Sequence, residues 1–304
     1  MEIVIKLIPT FLLIALGYLL KKYKVFDAEL GRTLLKFVFL VAAPALSLRS
    51  ISQINLDFSL IAIILLPIAL TVLSFLLVKP LEKGLHLKPK QFAVFLMATM
   101  IVNSGFTLPF VLSLVGDEGA ARVALFNVTN NLMVFGWVYS IAITYGERGS
   151  LNKLGVLKKV VFSPTFAALI IALALNFSHV RIPSFLTPTV NLLADLTSPL
   201  ILISLGLIME LKLMFPLQTF QSLTFRMVGG LIVGILFVKL FGLTGINKIT
   251  ALLLSASPVG FNTVTFSSLE KLDDEFAASI VSMGLIAGLI LMSILTVILG
   301  FNIV

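Results

Sequence analysis

The chain has 304 residues, 59% of them apolar and 12% charged, with a mean hydropathy of +1.13 and a net charge of +8. Soluble domains carry about twice that share of charge, so an ordinary soluble enzyme, a disordered chain and a nucleic-acid binder are excluded. There is no cysteine, so no disulfide framework or thiolate metal site, and His86 and His179 stand alone in predicted loops, so no zinc site is expected. In so apolar a chain, excess Lys and Arg report membrane orientation rather than a polyanionic partner.

A hydrocarbon core about 30 Å thick needs about 20 apolar residues per helix. The first apolar stretch runs from Ile3 to Leu20; it follows Glu2, carries Lys6 and lacks a small-residue cleavage site, so it reads as a retained helix rather than a signal peptide. Nine further spans are predicted at 33–50, 57–78, 91–115, 119–145, 160–178, 190–209, 219–242, 248–268 and 275–300. The ninth span is rich in Ser and Thr and is interrupted. Ten spans leave short loops and no room for a separate soluble domain.

The loops divide unevenly between the two sides. Fourteen of the 22 Lys and Arg follow odd-numbered spans, six lie on the other side, and Lys36 and Arg226 fall inside spans. The richer side is cytoplasmic, which predicts a multi-pass protein of the cytoplasmic membrane with both termini outside. The most basic linker, Arg148 to Lys159, then joins the fifth and sixth spans in the cytoplasm.

That linker also marks the middle of the chain. At an offset of 155, Pro9 meets Pro164, Pro44 meets Pro199 and Gly105 meets Gly260, with Phe11 on Phe166 and Phe106 on Phe261. This predicts two related halves, residues 1–150 and 151–304. Five helices per half is an odd number, so the second half enters the membrane from the opposite side, an inverted repeat.

Two spans carry matched interruptions. The fourth contains Asn103-Ser104-Gly105-Phe106-Thr107-Leu108-Pro109, and the ninth contains Ser257-Pro258-Val259-Gly260-Phe261-Asn262-Thr263. Glycine is conformationally permissive and proline removes an N–H donor, so each stretch can break a helix. Broken backbone at membrane depth survives only where it is buried in protein or lines a cavity. A half-helix that starts there presents free N–H groups to an anion, and one that ends there presents carbonyls to a cation. If the two broken helices cross, the predicted solute site takes in Asn103, Gly105, Thr107, Pro109, Pro258, Gly260, Asn262 and Thr263. Asn127, Asn130 and Asn131 share one face of the fifth span and either line that cavity or tie helices together.

Ionisable residues within spans are candidates for coupling. Asp195 in the seventh span could carry a proton or pair with a cation, or could be hydrated near the outer end. Arg226 in the eighth could bind a carboxylate but reads better as snorkelling to the cytoplasmic surface, as does Lys36. Asp117-Glu118 and Asp273-Asp274-Glu275 precede the fifth and tenth helices, where the helix dipole favours acids, and no metal site is expected there. Gly230 with Gly234 and Gly284 with Gly288 have the small-xxx-small spacing of close helix packing. No nucleotide motif or catalytic constellation occurs, so no enzyme is expected.

The order of these pieces resembles the auxin efflux carrier family over nearly the whole chain. The resemblance is carried by FLLIALGYLL from Phe11 to Leu20 with Lys21-Lys22, Phe37 to Leu48 with Pro44, Asn103 to Pro109, and Leu114 to Glu118. It continues through Asn130-Asn131, Ser163-Pro164, PLILISLG from Pro199 to Gly206, Arg226, and Pro258 with Asn262. It implies an all-α membrane protein of ten helices in two inverted five-helix repeats, similar to the bile acid:sodium symporter type, with helices 4 and 9 broken and crossing. It further implies a scaffold of helices 1, 2, 6 and 7, a mobile part made of the others, and a homodimer through the scaffold. The short central linker looks like that of bacterial members. The expected function is secondary active transport of a small organic anion, a carboxylate such as malate or an auxin-like acid, with no cofactor and with coupling to a proton, to Na⁺ or to nothing left open. A non-transporting sensor or binding protein and a channel are the alternatives on the same fold.

Overall fold

The computed structural model describes residues 2–55, 58–147, 163–209 and 213–301. The basic linker from Arg148 to Lys159 and Lys212 lie outside those residues. Twelve helices follow one another among the described residues. They are α1 (Glu2–Lys22), α2 (Ala28–Ile51), α3 (Ser59–Leu81), α4 (Pro89–Met100), α5 (104–115), α6 (117–145), α7 (Pro164–Phe177), α8 (Thr187–Ile208), α9 (Pro216–Leu240), α10 (Gly245–Ser255), α11 (Asn262–Glu270) and α12 (Asp274–Gly300).

Local sequence sets where several of these begin. The side chains of Asp27, Asn103, Ser163 and Asp273 each accept a hydrogen bond from a backbone N–H in the first turn of α2, α5, α7 and α12. α5 and α6 are separated by Gly116, whose φ of 57° and ψ of −148° only glycine adopts without strain. α2, α6 and α9 each contain a wide π-helical turn, at Val38–Ala42, Met133–Val138 and Thr224–Gly229. In α2 the Ala43 N–H reaches back to Val38 O, which frees Phe39 O, and the Thr165 hydroxyl donates to that oxygen at 3.0 Å.

Five helices, α2, α3, α8, α9 and α12, are long and apolar enough to cross a membrane, and α7 is a shorter apolar one. Large apolar side chains stay exposed along outward stripes, such as Ile290, Ile294 and Ile298 on α12 and Ile232, Leu236 and Leu240 on α9. An apolar exterior at helical spacing suits lipid rather than water.

The helices pack in two groups. α1 lies along α8, and α2 lies against α7 and α8. The approach of α1 to α8 is close: a methyl on Gly17 or Gly206 would sit 2.1 Å from Ile203 O or Ile14 O. In the second group α3 packs on α4 and α9, α10 packs on α9, and α12 packs on α4, α9 and α11. The 104–132 helical stretch of α5 and α6 lies against α2 and α8 as well as α3 and α10, so it joins the groups.

Candidate functional site

Both interruptions are real breaks, and they touch. α4 ends at Met100 and α5 starts at Ser104, while α10 ends at Ser255 and α11 starts at Asn262. Between them, Val102 and Val259 form a short antiparallel bridge. The Asn103 N–H donates to Pro258 O and the Gly260 N–H donates to Ile101 O, each at 3.1 Å. The Asn103 side chain then does two jobs: its Nδ2 donates to Val259 O at 3.2 Å, and its Oδ1 accepts from the Phe106 N–H at 3.1 Å. One amide thus caps α5 and clasps the opposite strand. Such pairing answers the cost of buried non-helical backbone, since each segment satisfies groups the other has freed.

The crossing needs small residues. A Cβ on Gly260 would lie 2.5 Å from the Ile101 side chain, and one on Gly288 of α12 would lie 2.9 Å from the Pro258 ring. The small-xxx-small pairs therefore pack close within the chain, Gly230 and Gly234 against Ser255 and Gly288 behind the crossing.

A cavity of about 340 Å³ opens beside the crossing, within the range of small-ligand sites. Asn103, Gly105, Asn127, Asn130, Asn131, Gly260 and Asn262 all line it, so seven of the predicted solute-site residues meet in one volume. The Ser104 hydroxyl donates to Asn127 Oδ1 at 2.6 Å, and Asn130 Oδ1 is buried without a partner. Four predicted residues do not line it. Thr107 is fully buried and its hydroxyl turns back to Asn103 O. Pro109 sits inside α5 and does not make the break, because the chain has already resumed helix at Ser104. Pro258 lies in the second break with its ring against α12, and Thr263 is buried on α11.

Sequence reasoning missed Phe39, Phe135, Ser163 and Thr165, which complete the wall. With 25 phenylalanines in the chain, none of them stands out. The wide turns of α2 and α6 are what turn Phe39 and Phe135 toward the crossing, and no residue pattern announced them.

Arg226 corrects the snorkelling reading. It is fully buried in the wide turn of α9, and its guanidinium faces the end of α10. Nη2 donates to Ser255 O at 2.6 Å and Nε donates to Ser257 O at 3.1 Å. A cation there meets the negative end of a helix dipole and takes up carbonyls that the break left free. Arg226 does not line the cavity. Lys36 is exposed.

Asp195 is also away from the cavity. Its Oδ1 lies 2.7 Å from Arg49 Nη1, and its side chain is 68% exposed. Arg49 also holds Asp117, with Nε 2.7 Å from Oδ2 and Nη2 donating to Oδ1 at 3.0 Å. The triad ties α2 and α8 to the head of α6. Near it a second recess, of about 790 Å³, is lined by Arg49, Gln53, Asn176, His179, Arg181 and Asn191, far along the sequence from the crossing. Among the described residues no group of three or more His, Asp or Glu could hold a metal ion.

An all-helical, lipid-faced bundle with an amide-lined cavity at two interrupted helices is the architecture of an integral membrane transport protein. Residues 2–298 match the family described as membrane transport protein, and the chain belongs to this auxin efflux carrier family. It is 25% identical over 281 residues to an uncharacterised transporter of Methanocaldococcus jannaschii, covering 88% of this chain and 89% of the relative. It is likewise 25% identical over 309 residues to an uncharacterised transporter of Methanothermobacter thermautotrophicus, covering 96% and 97%. Family and relatives alike are named for transport rather than for catalysis.

Proposed function

We propose that the protein is a secondary active transporter that moves a small organic anion, a carboxylate or an auxin-like acid, across the cytoplasmic membrane by alternating access at the crossed broken helices. One observation carries the reading: the electrostatic asymmetry of the crossing. The first turns of α5 and α11 both start at residues that line the cavity, and each helix start carries about half a positive charge. The carbonyl end of α10, which would have drawn a cation, is taken by Arg226. Amides of Asn127, Asn131 and Asn262 supply neutral donors around that positive focus. Among the described residues no acidic side chain lines the cavity.

In this reading α4 with α5, and α10 with α11, each make one crossing, so the chain spans the membrane ten times in two inverted halves, 1–150 and 151–304. Asn103 and Pro258, which bond at the crossing, are also partners at the offset of 155. The helices α1, α2, α7 and α8 serve as the scaffold, and the others move. Ser163, Pro164 and Thr165 at the head of α7 line the cavity, on the side of the basic linker. The solute site therefore opens to the cytoplasm, while the Arg49 triad closes the far side. A proton or Na⁺ gradient drives the cycle.

Purified protein in liposomes tests this with labelled malate and labelled indole-3-acetate. A carrier saturates and shows counterflow. Large electrical currents would make the protein a channel, and binding without uptake would make it a sensor.

A further inference from the structure

Among the described residues Glu270, the last residue of α11, is the one buried carboxylate, 4% exposed. Oε1 accepts a hydrogen bond from the Tyr139 hydroxyl of α6 at 2.6 Å, and Oε2 is buried with no partner. Two hydroxyls on the same helix share this state: Thr263 Oγ1 and Ser267 Oγ are buried and unpartnered. Positions 263, 267 and 270 follow the spacing that puts side chains on one helical face. A strip of unsatisfied oxygens thus runs from the first turn of α11, beside the crossing, to its last residue.

The nearby cations are committed elsewhere. Lys90 Nζ lies 2.7 Å from Glu147 Oε1, and Lys271 Nζ lies 3.4 Å from Glu147 Oε2. Lys79 pairs with Glu82 and Tyr145. Glu147 itself meets α11 through its backbone, donating to Glu270 O at 3.2 Å. From α12 the ionisable groups at this end are Asp273, Asp274 and Glu275, and Asp273 is occupied by the Gln91 side chain and the Phe276 N–H. Among the described residues, Glu270 therefore meets a phenol and no cation. A buried carboxylate without a counter-charge is costly, and a bound cation removes that cost.

We propose that Glu270, with Ser267 one turn before it, forms a binding site for a monovalent cation, a proton or a sodium ion, at the far end of the half-helix that starts at the crossing. Its role as the coupling site rests on the secondary-transport reading; the binding itself does not, and it is measured without any transported solute. A cation here neutralises α11 at one end while the solute occupies the other, so both sit on one rigid piece.

Two measurements on the purified full-length protein separate the two ions. In choline buffer without sodium, infrared difference spectra of wild type show a protonated carboxylic-acid band, absent in Glu270→Gln, if the occupant is a proton. Thermal unfolding at fixed pH and ionic strength shows a saturable sodium-dependent rise in midpoint, absent in Glu270→Gln, if it is sodium. Tyr139→Phe removes the one donor on the carboxylate and shifts that band, or weakens sodium by about tenfold. Wild type with neither signal overturns the site, as does a signal that Glu270→Gln leaves unchanged. Should Glu270→Gln fail to fold, the wild-type and Tyr139→Phe pair decides alone, and no response of that pair to either ion overturns the site. Failure of malate or indole-acetate uptake would leave these readouts standing, so the two readings fail separately.

Discussion

The two broken helices solve the same problem in opposite ways. At the first break the new helix is looked after: Asn103 caps α5 with its own side chain and clasps Val259 O. At the second break it is the old helix that is looked after, by Arg226 on the carbonyls of Ser255 and Ser257. The start of α11 has no side-chain cap, since Phe261 holds that position. Backbone carbonyls take its first-turn N–H groups instead: Thr263 donates to Gly260 O, and Val264 and Thr265 donate to Phe261 O. The two breaks are related by sequence but differ in the groups that satisfy them: an amide side chain at the first, and a guanidinium with backbone carbonyls at the second.

Substitutions can push on each side of this comparison. The largest effect is expected from Arg226→Met, which uncaps two buried carbonyls at once. It should cost about 2–4 kcal/mol in unfolding free energy and abolish uptake, while Arg226→Lys recovers part of the stability. Asn103→Ala should cost about 2 kcal/mol, as a lost cap plus a lost buried hydrogen bond, and weaken solute binding by about tenfold or more. Gly288→Ala presses a methyl on the Pro258 ring at 2.9 Å and on the Phe106 ring at 3.1 Å, and should cost about 1–3 kcal/mol by disturbing both sides of the crossing. Asn262→Ala is expected to leave the melting midpoint nearly unchanged and to weaken binding by about tenfold, because its amide faces the cavity. If Asn262→Ala destabilised the protein more than Asn103→Ala, the assignment of structural and binding roles would be reversed.

The smallest effect concerns the far end of α11. Hydrogen bonds from Lys90, then from Lys271, hold the Glu147 carboxyl below its ordinary range. A depressed carboxylate stabilises the fold above its unfolded pKa and loses that contribution as pH falls through the folded value. Wild type should therefore melt slightly above Glu147→Gln at neutral pH, and the gap should close below about pH 4.

Much of this was legible in the residues. The spans predicted from apolar length fall on the described helices, with the fourth and ninth each divided in two, because a long apolar run favours a buried or lipid-facing helix wherever it occurs. The matched Asn, Gly and Pro pointed to both breaks, and Asn127, Asn130 and Asn131 pointed to the cavity wall. Pro109 misled: it lies inside α5, where it removes one N–H from the ladder without ending the helix, and the break had come earlier. Arg226 misled for a different reason. Its depth suggested a route to the surface, while its destination was set by carbonyls 29 and 31 residues away in sequence. Asp195 reads in sequence as a coupling acid or a hydrated one, and its pairing with Arg49 could not be read there, because it depends on how α2, α6 and α8 meet. Wide helical turns and long-range capping are tertiary facts, and single-sequence periodicity does not carry them.

The most direct test of the solute site is binding to the Asn103→Ala, Asn262→Ala double variant in detergent and its counterflow in liposomes, with malate and indole-3-acetate as probes. The double variant is expected to fold in the membrane, to gain no thermal stability from either acid and to show no counterflow. Counterflow at the wild-type rate from the double variant would contradict this expectation.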